Sequence, residues 1–288
     1  MSPIARAALW MTGAIASFSA MAVAGRELSA VHDTFEIMMY RSFVGVLVVS
    51  LALTFSGKWH QVSTRALGLH ALRNAVHFTG QNLWFFAVTV IPLAQVFALE
   101  FTQPLWVILL SPLLLGERMT RVRVAAAVIG FIGILIVARP GASSLNIGIV
   151  TAALSAIFFA MTTISTKKLT QLASIGCIMF WLTIMQAVLG LVASGHDGQI
   201  ALPTLGTAPY LVLVGLAGLL AHFCITNALA IAPATVVVPI DFARLPTIAV
   251  VGMLLYGEAL DIWVFVGAAV IFAGNYLNIL AETRNTAR

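Results

Sequence analysis

Charge is what this sequence has least of: Asp, Glu, Lys and Arg make up 9% of its 288 residues, against 61% hydrophobic ones. A soluble domain is about 45–50% apolar and about 25% charged. A water-covered surface over the whole chain is thereby excluded, and an integral membrane protein is expected. Cysteine is nearly missing too. Cys177 and Cys224 lie in apolar stretches without CxxC spacing, which excludes a thiolate metal centre or disulfide framework and leaves two small hydrophobes. The chain also lacks HExxH, a His box, a Walker loop, a Gly-rich nucleotide fingerprint, and a Ser or Cys nucleophile with a placed base. No cofactor and no metal are expected, and a membrane-embedded enzyme is the most distant functional reading.

What is present is a series of long apolar runs. A helix needs about 20 apolar residues to cross roughly 30 Å of hydrocarbon, and such runs lie near residues 4–24, 35–55, 67–88, 93–115, 122–138, 147–166, 175–194, 209–231, 234–256 and 262–280. The expected fold is an all-α polytopic membrane protein with ten transmembrane helices and connections too short for a soluble catalytic domain. The first run also fits a signal peptide ending at Ala22-Val23-Ala24. Its Phe18–Met21 (FSAM) reappears as Phe158–Met161 (FFAM) inside the sixth run, so it is read as an anchor. Ten crossings put both termini on one side. With that side cytoplasmic, ten Lys/Arg lie on inner flanks and only Arg26 and Arg139 on outer ones, the asymmetry of a bacterial inner-membrane protein. The net charge of +5 is then a topology label that calls for no nucleic acid. The expected partners are the lipid bilayer and a small-molecule substrate, and a monomer is the expected unit.

The chain repeats itself. At an offset of 141, Pro92 meets Pro233, Glu100 meets Asp241, Phe101 meets Phe242, Gly116-Glu117 meets Gly257-Glu258, and Gly133 meets Gly274, without a gap. Residues 1–141 and 142–288 are therefore expected to form two five-helix repeats. Because five is odd, the second enters the membrane in the opposite sense, the inverted-repeat plan of secondary transporters, whose solute path lies between the halves near the midplane. The second copy departs from the first in having Pro239 and Pro246 where the first has Ala98 and Leu105.

These residues carry a resemblance. The YRSFVG after Glu36, the block PLAQVFALEFTQPLWVILLSPLLLGERM, the closing GFIGILIVARPG and their fainter second copies resemble the EamA-type transporters of the drug/metabolite transporter superfamily. The resemblance implies a ten-helix inverted-repeat carrier, similar either to exporters of amino acids and metabolites or to uptake carriers for riboflavin or S-adenosylmethionine.

Ionisable groups at membrane depth are costly and normally face a bundle interior. Counting along the runs puts Arg41 roughly 9 Å and Glu100 roughly 12 Å below one boundary, so the two are expected to pair. In the second copy Trp181 stands where Arg41 would be, and Arg244, three residues after Asp241, supplies the cation within its own helix. His70, Arg73 or Asn74, His77, Gln81 and Trp84 recur at spacings of three and four and form one polar stripe. His222 falls at the repeat offset from Gln81. Glu100, Asp241, Arg41, Arg244, Asn74, His77, Gln81, Trp84, Gln103, Trp106 and His222 are the expected cavity-lining or substrate-binding residues. An ammonium would meet Glu100 or Asp241, a carboxylate Arg41 or Arg244, and a ring Trp84 or Trp106. Asn275 and Asn278 are read as interhelical glue, and Gly116-Glu117 and Gly257-Glu258 as turn features. Such a wall suits a small polar or zwitterionic solute. Amino-acid export is the first expectation, and uptake of a cofactor-like metabolite is the alternative.

The Lys/Arg asymmetry predicts that a reporter fused after Arg288 reports a cytoplasmic C-terminus. Periplasmic reporter activity would refute the ten-crossing plan and the repeat inversion with it.

Overall fold

A computed structural model describes residues 3–115, 120–139, 146–169, 171–196, 198–231, 240–241 and 243–286. Gly116, Glu117, Pro239 and Phe242 lie outside them. In chain order the helices are α1 (Pro3–Leu28), α2 (Thr34–Ser56), α3 (Leu67–Val90), α4 (Leu93–Glu100), α5 (Gln103–Leu115), α6 (Arg121–Ala138), α7 (Ile147–Leu169), α8 (Ile175–Ser194), α9 (Ala208–Ile231), α10 (Arg244–Tyr256) and α11 (Ile262–Thr286). The described residues hold no strand.

The apolar runs are less uniform than the sequence implied. Seven spans, in α1, α2, α4–α5, α6, α7, α8 and α9, are long and apolar enough to cross a bilayer unaided. At 24 residues α3 is long enough, but its polar stripe removes the apolar surface that would insert it alone, so it depends on its neighbours. The apolar stretches of α10 and α11, Arg244–Tyr256 and Ile262–Asn278, are shorter.

Local chemistry sets the ends. Asp33 caps α2 in a capping box with Glu36, and Gly57 closes it at φ 64°, a left-handed conformation that lets its N–H reach the Leu53 and Thr54 carbonyls. The fourth run was expected to be one helix and is two. Pro104 has no N–H to give the Glu100 carbonyl, so α4 stops at Glu100 and α5 starts at Gln103. Asn275 of α11 donates its Nδ2–H to the Phe101 carbonyl exposed by the break, at 3.1 Å. Asn275 is thus glue, as expected, but glue for backbone rather than for another side chain.

The helices pair across the chain: α1 on α9, α2 on α8, α3 on α7, α4 on α10 and α6 on α11. Small residues permit the closest of these approaches. A methyl group on Gly133 would stand 2.8 Å from the Gly267 carbonyl oxygen, and one on Gly274 would stand 2.8 Å from that of Ala126. The backbones of α6 and α11 therefore touch, as small-residue stripes allow where no hydrophobic drive exists between helices.

The end of the bundle opposite the N-terminus is tied by charge. Arg26 pairs with Glu258 and also donates to the Val88 and Ile91 carbonyls, each at 2.6 Å, while Glu258 accepts the Leu93 N–H at 2.9 Å. Glu258 thus does more than end a turn: it joins α1, the α3–α4 corner and α10. Arg139 pairs with Asp261 at the same end. There Glu36 accepts the Ala201 N–H, and the Tyr40 hydroxyl donates to the Ala201 carbonyl at 2.9 Å. At the other end the described ties have no ion pair: Trp181 Nε1–H donates to the Ser63 carbonyl at 2.8 Å, and Lys168 to the Leu114 carbonyl at 2.7 Å.

Gly274→Val is expected to force α6 and α11 apart and to cost about 1–3 kcal/mol. Gly68→Val, at a position with nothing within 4 Å, is expected to change stability far less. Unfolding of the purified protein by a denaturing detergent compares the two.

Candidate functional site

Where α4 breaks, its last residue points into the bundle. Glu100 Oε2 accepts the Trp84 Nε1–H at 2.8 Å, and its Oε1 lies 3.2 Å from Arg244 Nη2. The same Nη2 lies 3.2 Å from Asp241 Oδ2. One guanidinium, 4% exposed, therefore bridges the two acids that the repeat alignment made equivalent. Its flat face is held by aromatic rings, with the guanidinium carbon 4.6 Å from the centroid of Phe18, 4.9 Å from Phe101 and 5.0 Å from Phe97. Ring quadrupoles and two carboxylates together replace the water a buried cation gives up. Asp241 Oδ1 and Arg244 Nε have no hydrogen-bond partner among the described residues, so this centre keeps an acceptor and a donor in reserve.

The expected pairing of Arg41 with Glu100 does not occur. Counting residues along two helices gives each group's depth but not its bearing around the helix, and Arg41 faces another way. Its Nη1 donates to Gln81 Oε1 and approaches Met38 Sδ at 3.6 Å. Glycines on α9 make the room: a methyl group on Gly218 would stand 2.7 Å from Arg41 Nη2, and one on Gly215 would stand 3.1 Å from the Arg41 carbonyl. Nor do the halves neutralise their acids by separate routes, because Arg244 serves both.

Arg41 belongs to a second group. With His77 of α3, Gln186 of α8 and His222 of α9 it lines a cavity of about 30 Å³, room for one or two waters. The His77 and His222 rings are 6.4 Å apart at their centroids and nearly perpendicular, at 64°. His77 Nδ1 and Gln186 Oε1 are buried without partners among the described residues. Gln186 was missed from sequence, although a lone amide in the apolar run of α8 was a visible signal. The aromatic sheath of Arg244 was missed with less excuse to be found, since Phe in an apolar helix stands out from nothing.

The other expected residues are placed otherwise. Trp84 is 2% exposed and committed to Glu100, so its ring stacks on no solute in this conformation. Asn74 is packing: it donates to the His70 carbonyl at 2.9 Å and accepts from Arg73 at 3.0 Å. Gln103 joins α5 to α7 through Thr163 Oγ1 at 2.7 Å, and Trp106 donates back to Thr102 Oγ1, in the break just before its helix, at 3.2 Å. Neither enters either cluster. Among the described residues no group of His, Cys, Asp and Glu is set to hold a metal.

Charged and polar side chains gathered inside a helix bundle with long apolar spans define a polytopic membrane protein with a polar interior. Residues 5–139 and 146–280 each match the EamA-like transporter family, and the chain belongs to that family, the EamA-type drug/metabolite transporters. It is 32% identical to the riboflavin transporter of Brucella anthropi over 88% of this chain and 90% of that one. It is 26% identical to the S-adenosylmethionine uptake transporter of Rickettsia bellii, covering 96% and 94% of the two chains. The riboflavin transporter of Vibrio cholerae is 29% identical over 98% and 95%. A solved crystal structure shares the fold at TM-score 0.65 and 19% identity, over 96% of this chain and 98% of its own.

Removing Arg244 leaves two carboxylates facing each other in a dry site, so Arg244→Gln is expected to destabilise the protein by about 3–5 kcal/mol. In a double-mutant cycle, Glu100→Gln and Arg244→Gln are expected to be strongly non-additive, whereas Glu100→Gln and Arg41→Gln add. Coupling of Glu100 to Arg41 instead would overturn the assignment.

Proposed function

We propose that the chain is a secondary carrier for uptake of a cofactor-like metabolite across the bacterial inner membrane, with no enzymatic activity. The observation that carries this reading is its similarity, over most of its length, to transporters of riboflavin and of S-adenosylmethionine. Those relatives support the uptake alternative over amino-acid export. The solute is a small molecule with a planar heterocycle and a polar arm, which riboflavin and S-adenosylmethionine have in common.

The working unit is a monomer of two inverted repeats of five crossings each, residues 1–141 and 142–288, with α4 and α5 together making one crossing and both termini cytoplasmic. Two observations support the repeats: the two family matches begin 141 residues apart and end 141 residues apart, and the helix pairs are those that a two-fold exchange of the repeats would map onto one another. The solute path runs between the repeats, past the Glu100–Arg244–Asp241 centre and the Arg41, Gln81, His77 and His222 cluster. The charged ties Arg26–Glu258 and Arg139–Asp261 gather at the end opposite the termini, which on this reading is the periplasmic one.

Purified protein in liposomes is expected to accumulate labelled riboflavin or S-adenosylmethionine by counterflow, with Arg244→Gln abolishing it. Counterflow of amino acids and of neither cofactor would restore the export reading.

A further inference from the structure

Three arginines at the membrane edges or inside the bundle have carboxylate partners: Arg26 with Glu258, Arg139 with Asp261, and Arg244 with Glu100 and Asp241. Arg41 and Arg73 do not. Arg41 meets Gln81 and Met38, and Arg73, 6% exposed, meets Thr166 Oγ1 at 3.2 Å and Asn74 Oδ1 at 3.0 Å, all neutral groups. The nearby acids are committed elsewhere. Glu36 is held by His32 and the Ala201 N–H, and Glu100 by Trp84 and Arg244. Among the described residues, the buried Arg73 and the half-buried Arg41 therefore sit inside a lipid-embedded bundle without an opposite charge beside them, an arrangement that packing alone does not favour.

The two cations are connected. Arg73, His77 and Gln81 lie four residues apart along one face of α3, a span of about 12 Å, and Arg41 reaches Gln81 at the far end of it. Arg41 and His77 both line the cavity between α2, α3, α8 and α9. His77 Nδ1, which has no partner among the described residues, adds a further group to this row, as do both ring nitrogens of His70 one turn beyond Arg73. At the repeat offset of 141, Val214 and Gly218 stand in place of Arg73 and His77, so the row has no twin in the second half of the chain.

We propose that this row is a binding track for an anionic oxygen group of the transported solute, a carboxylate or phosphate, which Arg41 receives and Arg73 takes over further along α3. The solute supplies the counter-charge that the protein withholds, and a permanent carboxylate at the same place would shut the track. The idea rests on the reading of the chain as a carrier but not on which cofactor it carries. It divides the two candidates, because S-adenosylmethionine has a carboxylate and riboflavin has none.

The test needs no knowledge of the solute. Melting of the full-length protein in detergent is followed while formate or phosphate replaces chloride at constant ionic strength. Ligands that bind only the folded state raise its stability, so wild type is expected to melt higher in formate or phosphate. Arg41→Gln and Arg73→Gln are expected to lose that response while melting, in chloride, no lower than wild type, because each removes an unpaired buried charge. Arg41→Lys, which keeps the charge, is expected to retain part of the response. A flat wild-type response, an unchanged response in both Gln variants, or a large loss of stability in chloride would make the arginines structural and overturn the proposal. In a second arm, riboflavin and its 5′-phosphate are compared as inhibitors of counterflow, and the phosphate is expected to act at least tenfold more strongly on wild type and no more strongly on Arg41→Gln. Equal inhibition of wild type by both overturns the track. Failure of all counterflow leaves the first arm to decide the track and counts only against the carrier reading.

Discussion

Arg244 stands between two carboxylates that come from opposite halves of the chain, and the geometry around it depends on that placement. Two acids share one cation in a medium that solvates charge poorly, so every remaining donor matters. Trp84 gives its indole N–H to Glu100, and Phe18, Phe97 and Phe101 close around the guanidinium. These contacts tie α1, α3, α4 and α10 to one point. A buried ionic centre of this kind is a poor source of net stability compared with an apolar core, but breaking it is severe. It therefore acts as a constraint on which arrangements the helices can adopt.

The helix break beside Glu100 belongs to the same constraint. A continuous helix would satisfy its own carbonyls and turn Glu100 along a regular spiral. Pro104 interrupts it, α4 ends on the acid, and the cost of the exposed Phe101 carbonyl is met from α11 by Asn275. Irregular backbone at membrane depth survives only where protein or an aqueous cavity receives it, and discontinuous helices of this kind form solute sites in secondary transporters. In the second half, Asp241 and Arg244 flank the start of α10, so the two acids approach each other at the ends of two short helices.

The two charged groups differ in how complete they are. Around Arg244 charge is answered by charge within the protein. Around Arg41 and Arg73 it is answered, among the described residues, by amide, hydroxyl and thioether groups, and Gly218 on α9 leaves the space in which the first guanidinium sits. The first arrangement ties residues from the two halves of the chain to one another, and the second leaves its cations with neutral partners among the described residues. The Arg26–Glu258 pair ties helices together at one end of the bundle, while the described ties at the opposite end are neutral hydrogen bonds and a lysine on a carbonyl.

Much of this was legible in the sequence. Apolar run length dictates a helical membrane protein, because only a helix satisfies its backbone within a single crossing segment. The 141-residue offset marked Glu100 and Asp241 as a pair, and the polar stripe of α3 announced a face that lipid cannot cover. What the sequence could not decide was bearing. A residue's height in the membrane follows from counting, but which neighbour it meets depends on how each helix is rotated and on which helix lies beside it, and both are set by packing across the whole bundle. That is why Arg41 faces Gln81 instead of Glu100, why one arginine serves both acids, why Gln103 and Trp106 fall outside the site, and why an asparagine 174 residues away along the chain completes the break in α4.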